Sequence, residues 1–215
     1  MQTINRSLAL IEKMIADTTV PSVTQFAEEK DPFIILISCV LSLRTKDKTT
    51  ISASKRLFHV AKTPQALSKL SLEEIRRLIY PVGFYRNKAK QVREIAKIIS
   101  EKYNNKVPDT LDELLVFKGV GIKTANLVLG LGFNKPAICV DTHVHRISNR
   151  LDWVNTKNAQ ETLAALESLI PKRKWIRLNT TLVGFGQNIC LASSPLCLRC
   201  TLNLTCAKKG VKKCR

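Results

Sequence analysis

Helical periodicity along the chain predicts an all-α protein, and three observations carry that prediction. Apolar residues recur three and four positions apart in one stretch after another. No segment alternates apolar and polar residues for long enough to require a strand. Serine, threonine and proline stand where the apolar stripes begin, which is where helices start. Leu8, Ile11, Met14 and Ile15 stripe a first helix. The run from Phe33 to Leu43 has eleven residues and two interior serines, too short to cross a bilayer but suited to a helix buried on all sides. Thr63-Pro64 puts proline where a first helical turn accepts it, and Ser71-x-x-Glu74 and Thr110-x-x-Glu113 have capping-box form, so a short helix is expected after each. Ala89, Val92, Ile95, Ala96 and Ile99 stripe a later helix that stops before Asn104, Asn105 and Pro108. Helices of roughly 8 to 16 residues joined by brief polar turns fit a compact helical protein, with no low-complexity linker and no internal repeat.

Composition narrows the partners. The 35 Lys and Arg against 17 Asp and Glu leave a net charge of +18, a field that draws polyanions and repels basic partners. Nucleic acid is the expected partner. The excess is spread, with concentrations at Arg86, Lys88, Lys90 and Arg93, at 172–174 and at 208–215, which suggests a folded basic face more than a disordered arm. Seven cysteines, an odd number, argue against a complete disulfide framework, and the first fifteen residues lack the pattern of a secretory leader. An intracellular protein with no membrane segment is expected.

The segment Phe117-Lys118-Gly119-Val120-Gly121-Ile122-Lys123 sets two glycines between a helix over Leu111 to Val116 and one that begins near Ile122, a helix-hairpin-helix pattern. Glycine lets the backbone turn tightly, and the turn amides with the next helix N-terminus can face a phosphate with no side chain in the way. By itself a G-x-G between helices is most often a tight turn; the basic chain around it favours phosphate. Near the C-terminus Cys190, Cys197, Cys200 and Cys206 follow a C-x6-C-x2-C-x5-C pattern. Four thiolates from seventeen residues suit an all-thiolate zinc site or a [4Fe-4S] cluster. Only Cys197 and Cys200 form a close pair, where zinc ribbons usually bring two, so the spacing favours the cluster and leaves zinc open. Cys39 and Cys139 stand in apolar surroundings as packed thiols, and Cys214 is expected to be exposed.

With these residues in place the chain resembles the endonuclease III family. The resemblance rests on Leu114 to Gly121 with Lys123-Thr124-Ala125-Asn126, on Val140-Asp141-Thr142-His143-Val144 and Arg146, and on the four cysteines in order, and it covers nearly the whole chain. It implies a base-excision-repair DNA glycosylase with AP lyase activity that removes damaged, oxidised pyrimidines from duplex DNA. It also implies the helix-hairpin-helix DNA glycosylase fold: a six-helix barrel over 23–135, and a smaller helical domain from 1–22 and 136–215 around a [4Fe-4S] cluster held by the four cysteines. By the same resemblance Lys123 is the Schiff-base lysine and Asp141 the catalytic aspartate. Lys118, Gly119, Val120 and Gly121 meet the DNA backbone, Phe84 stands where the family carries a leucine wedge, and Arg146 contacts phosphate or anchors the helix behind Asp141. The implied partner is duplex DNA with damaged bases or abasic sites, bound by a monomer that is cytoplasmic and nucleoid-associated if bacterial.

The residues themselves allow blander roles. A lysine after a phosphate-binding turn can be a point charge on the backbone, and Asp141 is placed to N-cap the helix from Thr142 to Arg150. The chemistry nevertheless suits the pair. A neutral amine can attack C1′ of a nucleotide, a positive helix end and nearby cations favour its neutral form, and a carboxylate can take a proton or stabilise positive charge on the sugar. The target base must first leave the stack. Two departures from the family stand out: Lys118 replaces a proline before the first glycine, and Arg44 stands where a glutamine fills the gap left by the extruded base. Arginine offers donors only, matched to guanine O6 and N7, so a preference for lesions opposite guanine is expected. Three other readings remain at this level: a mismatch glycosylase removing thymine or uracil opposite guanine, a non-catalytic helix-hairpin-helix protein with a structural or redox cluster, and a zinc-stabilised RNA-binding module. Lys123 argues against a purely monofunctional glycosylase.

Overall fold

The computed structural model describes residues 2–18 and 21–215, and among them every regular element is a helix. They are α1 (Gln2–Met14), α2 (Ser22–Phe26), α3 (Pro32–Ser42), α4 (Asp47–Val60), α5 (Pro64–Lys69), α6 (Leu72–Ile79), α7 (Tyr85–Lys102), α8 (Leu111–Leu115), α9 (Ile122–Phe133), α10 (Thr142–Arg150), α11 (Ala159–Leu169) and α12 (Trp175–Asn188). Lengths run from 5 to 18 residues, a wider spread than the periodicity suggested. None of these helices is long and apolar enough to cross a membrane. The chain divides into two compact units, one of Ser22–Lys135 and one of Met1–Pro21 with Pro136–Arg215.

In the unit of Ser22–Lys135, α3 is the buried axis. Residues from Phe33 to Leu41 are all buried, and α2, α4, α7 and α9 pack around them. Asp31 starts this helix by accepting from the amides of Phe33 and Ile34, with Pro32 in the first turn. Each fully buried Ile, Leu or Phe contributes about 1.5 to 3 kcal/mol, so a charge at Ile35 would break the unit. Gly132 lets α9 approach closely, since a Cβ there would lie 3.1 Å from Pro32. The starts of α5 and α6 follow the sequence: Thr63 caps Ala66, and Ser71 with Glu74 forms a complete capping box. At α8 the box is half made. Thr110 Oγ1 caps Glu113 N, but the Glu113 carboxylate takes the Thr110 hydroxyl instead of its backbone amide.

The other unit has its own core. Leu8 and Ile11 of α1 pack with Val144 and Ile147 of α10, Leu166 of α11, and Leu178, Leu182 and Phe185 of α12. Cys190, Cys200 and Cys206 lie half-buried against this core, so the cysteine segment is an outgrowth of it and not a separate module.

Candidate active site and cysteine cavity

The hairpin between α8 and α9 is closed by Val120 N donating to Phe117 O at 3.0 Å, with both side chains buried. Gly119 has φ +87, a conformation that favours glycine, and a Cβ on it would meet Gln91 at 2.8 Å. A Cβ on Gly121 would meet nothing within 4 Å, so its glycine leaves open space in front of the helix start. The first bond of α9 runs from Ala125 N to Gly121 O, which leaves the amides of Ile122, Lys123 and Thr124 ahead of the helical ladder. These amides and the helix dipole suit an anion. Lys118 and Lys123 are exposed on the same hairpin. Exposed Leu115, Val116 and Ile122 flank them, an apolar rim the sequence reading did not single out.

Asp141 caps α10 from the other unit. Its Oδ1 accepts from His143 N and Val144 N, both at 2.9 Å, so the cap uses one carboxylate oxygen and Oδ2 takes neither amide. Arg146, one turn on, donates from Nη2 to Gly186 O at 3.2 Å and Cys190 O at 2.8 Å, with His143 Nδ1 at 3.1 Å. Of the two roles open for Arg146, these contacts are of the anchoring kind: they hold α10 to the end of α12. Burial lowers its pKa, opposed by Cys190 and Asp141 and reinforced by Arg150. Gly186 permits the contact, since a Cβ there would run into the His143 ring.

Cys190, Cys197, Cys200 and Cys206 line one cavity, walled by apolar side chains such as Leu151, Phe185 and Ile189 together with Arg150 and Lys208. Arg150 Nη1 donates to Cys190 Sγ at 3.5 Å, and Lys208 N donates to Cys206 Sγ at 3.4 Å. Burial pushes the Cys197 thiol up to about 11, with Cys214 adding to the rise. Burial also raises Cys200 and Cys206. A metal centre there must displace protons as it assembles, and N–H groups aimed at sulfur stabilise the thiolates it needs. Among the described residues no group of three or more His, Cys, Asp or Glu is arranged to hold a single ion. Four thiols lining one cavity, with cationic neighbours, suit an all-thiolate metal centre, which a [4Fe-4S] cluster or a zinc ion would complete. Cys39 and Cys139 are buried and Cys214 is exposed.

Arg44 and Phe84 come together. Both have left-handed backbones, φ 51 and φ 57, and the Arg44 guanidinium lies 5.8 Å from the Phe84 ring centroid. Phe84 is 62% exposed, which rules out its alternative role as a core aromatic. One charge moved the other way. Lys88, read as part of a basic face, is buried with its amine turned inward. Its position in the amphipathic stripe of α7, one residue before Ala89, was the available signal.

Residues 37–172 match the profile of the HhH-GPD superfamily base excision DNA repair protein. An endonuclease III of Thermotoga maritima is 52% identical over 83% of this chain and 84% of its own length. The chain spans 47% and 48% of two longer relatives from Arabidopsis thaliana. A solved structure described as a trapped endonuclease III-DNA covalent intermediate superposes with a TM-score of 0.84 at 35% identity, covering 96% of this chain and 95% of that one. A thermostable thymine-DNA glycosylase superposes with a TM-score of 0.83 at 26% identity, covering 94% of each chain. An all-helical fold of this form defines the class, base-excision DNA glycosylases. The chain belongs to the endonuclease III family. Its activity is that of a bifunctional DNA glycosylase and AP lyase, as the resemblance implied.

Proposed function

We propose that Lys123 is the nucleophile of this activity and Asp141 its proton acceptor, and that the substrate is duplex DNA carrying damaged, oxidised pyrimidines or abasic sites. The observation that carries the reading is the exposed Lys123 in the first turn of α9, directly after a hairpin whose open Gly121 and unladdered amides suit a phosphate. With the backbone held at Lys118 to Gly121, Nζ attacks C1′ as the glycosidic bond breaks, and the base leaves with its electron pair and a proton. Asp141 takes the proton released from the amine, or stabilises positive charge on the sugar, through the carboxylate oxygen its cap leaves over. The C1′–O4′ bond then opens, O4′ keeping the electron pair and taking a proton, to give the C1′ iminium; this acidifies the 2′ proton, loss of that proton expels the 3′ phosphate, and water then frees the lysine.

Phe84 wedges into the stack while Arg44 meets the orphaned base, the exposure of both supporting the assignment. Arg146 anchors the Asp141 helix. Cys190, Cys197, Cys200 and Cys206 would hold a [4Fe-4S] cluster, which when bound ties the segment 190–206 into the fold. The reading has the protein act as a monomer on chromosomal DNA in the cytoplasm, and the bacterial relative supports that compartment.

The test is a panel of duplexes bearing oxidised, deaminated and abasic sites, each incubated with enzyme and borohydride. Covalent trapping with oxidised pyrimidines and abasic sites supports the reading. DNA binding without trapping or nicking on any duplex would replace it with a non-catalytic one.

A further inference from the structure

We propose that the buried Lys88 is the positioning residue that couples Arg44 to Phe84, so that the two side chains enter DNA as one unit. The inference rests on the reading of Arg44 and Phe84 as the residues that reach into the helix stack.

Lys88 is 4% exposed and stands in the first turn of α7, directly behind Phe84. Its Nζ donates to Leu41 O at 2.8 Å, to Leu43 O and to Thr45 Oγ1 at 3.1 Å. The three oxygens bracket Arg44 from both sides. Thr45 Oγ1 passes the connection on: it donates to Leu43 O at 3.2 Å and accepts from Gly83 N at 3.2 Å. A single buried ammonium therefore fixes the loop that carries Arg44, and through one hydroxyl it also fixes the loop that carries Phe84. Backbone contact reinforces the join, because a Cβ on Gly83 would fall 2.6 Å from Arg44 O. Arg56 holds the far side of the second loop, donating to Leu78 O at 2.9 Å and to Tyr80 O.

This arrangement opposes the intrinsic preferences of the residues it holds. Left-handed backbone at a non-glycine residue is disfavoured and persists only where surroundings over-determine it. Arg44 and Phe84 both adopt it, at the two positions Lys88 and Thr45 bracket. An arginine stacked on an aromatic ring at the tip of two joined loops enters a duplex with little further ordering, since neither side chain must search for the other.

The experiment places a fluorescent aminopurine beside the lesion and reads its unstacking on binding, together with single-turnover excision, in wild type, Phe84→Ala, Lys88→Met, Thr45→Val and the double variant Lys88→Met with Phe84→Ala. Lys88→Met is expected to lose the fluorescence rise and slow excision on the order of a hundredfold, as a misplacement of about 1 Å does. Affinity for undamaged duplex should hold within about twofold, as phosphate contacts carry it. The double variant should be slowed by clearly less than the product of the two single effects, because once Phe84 is gone only the placement of Arg44 is left for Lys88 to lose. If Lys88→Met does not fold, Thr45→Val, which removes the link to Gly83 and keeps the lysine, decides by the same readouts. A full fluorescence rise in Phe84→Ala would overturn the wedge reading itself. Loss in Phe84→Ala with a full rise in Lys88→Met and Thr45→Val, or multiplicative slowing in the double variant, would overturn the coupling role alone.

Discussion

Arg150 donates from Nη1 to the sulfur of Cys190 at 3.5 Å, and the same guanidinium holds Leu191 O at 2.6 Å and Ala192 O at 2.7 Å. It closes α10 onto the first residue of the cysteine segment, and its own carbonyl accepts from Lys209 N at 3.3 Å, just past the last of the four cysteines. The helix that begins at Asp141 therefore ends at the proposed cluster site, and one nine-residue element links the two.

Arg150→Met keeps the length and apolar stem but removes these donors. Hydrogen bonds from a charged donor are worth about 1.5 to 3 kcal/mol each, so the variant should lose about 3 kcal/mol or more of stability. Iron per chain should fall with it. Urea unfolding and iron analysis check this, and full iron content with unchanged stability would separate Arg150 from the cluster site.

The wild-type protein should be brown, with about four irons per chain. Cys200→Ala should impair folding or solubility before it touches the chemistry, since a metal centre assembled on folding contributes to stability. Colourless protein with stoichiometric zinc would contradict the cluster assignment.

Asp141→Asn separates cap from catalysis. Asparagine caps about as well as aspartate, so stability should change by under about 1 kcal/mol. Turnover should fall about 10² to 10⁴-fold, the usual range for a general base. A near-normal rate would reduce Asp141 to its role at the start of α10.

Stability should carry the signature of Lys88. Burial pushes its amine from 10.5 down to about 8. Below about pH 8 folded and unfolded chains both hold the proton, and the cost of burying the charge is present in full. Between about pH 8 and 10.5 the unfolded chain binds more protons, so this group makes stability rise with pH, and above that window the cost is gone. Subtracting the urea-unfolding profile of Lys88→Met from that of wild type should isolate a rise across this window; parallel profiles would show that Lys88 is not depressed.

What the sequence made legible was local, and what it hid was long-range. Asp141, Thr63 and Ser71 cap helices through amides two or three residues away, so residue type and spacing suffice to place them. The four cysteines and the hairpin glycines lie in short runs whose spacing shows in one dimension. Lys88 was hidden because its partners lie 43 to 47 residues away, and a lysine among Arg86, Lys90 and Arg93 reads as one more surface charge. The stacking of Arg44 on Phe84 was hidden for the same reason. Arg146 sits between these cases: its place on α10 was readable, but its acceptors at Gly186 and Cys190 are supplied by tertiary packing.

Arg44 bears on opposite-base choice. If its fork reads O6 and N7 of an orphaned guanine, excision of one lesion should be faster opposite guanine than opposite adenine by roughly tenfold or more, the effect of a contact worth about 1 to 3 kcal/mol. Single-turnover rates opposite each of the four bases check this in wild type and Arg44→Gln. An unchanged profile in the variant would leave Arg44 as a contact to backbone phosphate.

The central claim, that Lys123 is the nucleophile, is tested most directly by locating the adduct. Wild-type enzyme trapped with borohydride on an abasic duplex should yield, after proteolysis and mass spectrometry, a single modified peptide with the sugar on Nζ of Lys123. Lys123→Gln should give no adduct and no nicking, with affinity for duplex falling only modestly because the hairpin amides and Lys118 remain. An adduct on any other amine in wild type, or undiminished trapping in Lys123→Gln, would contradict the account.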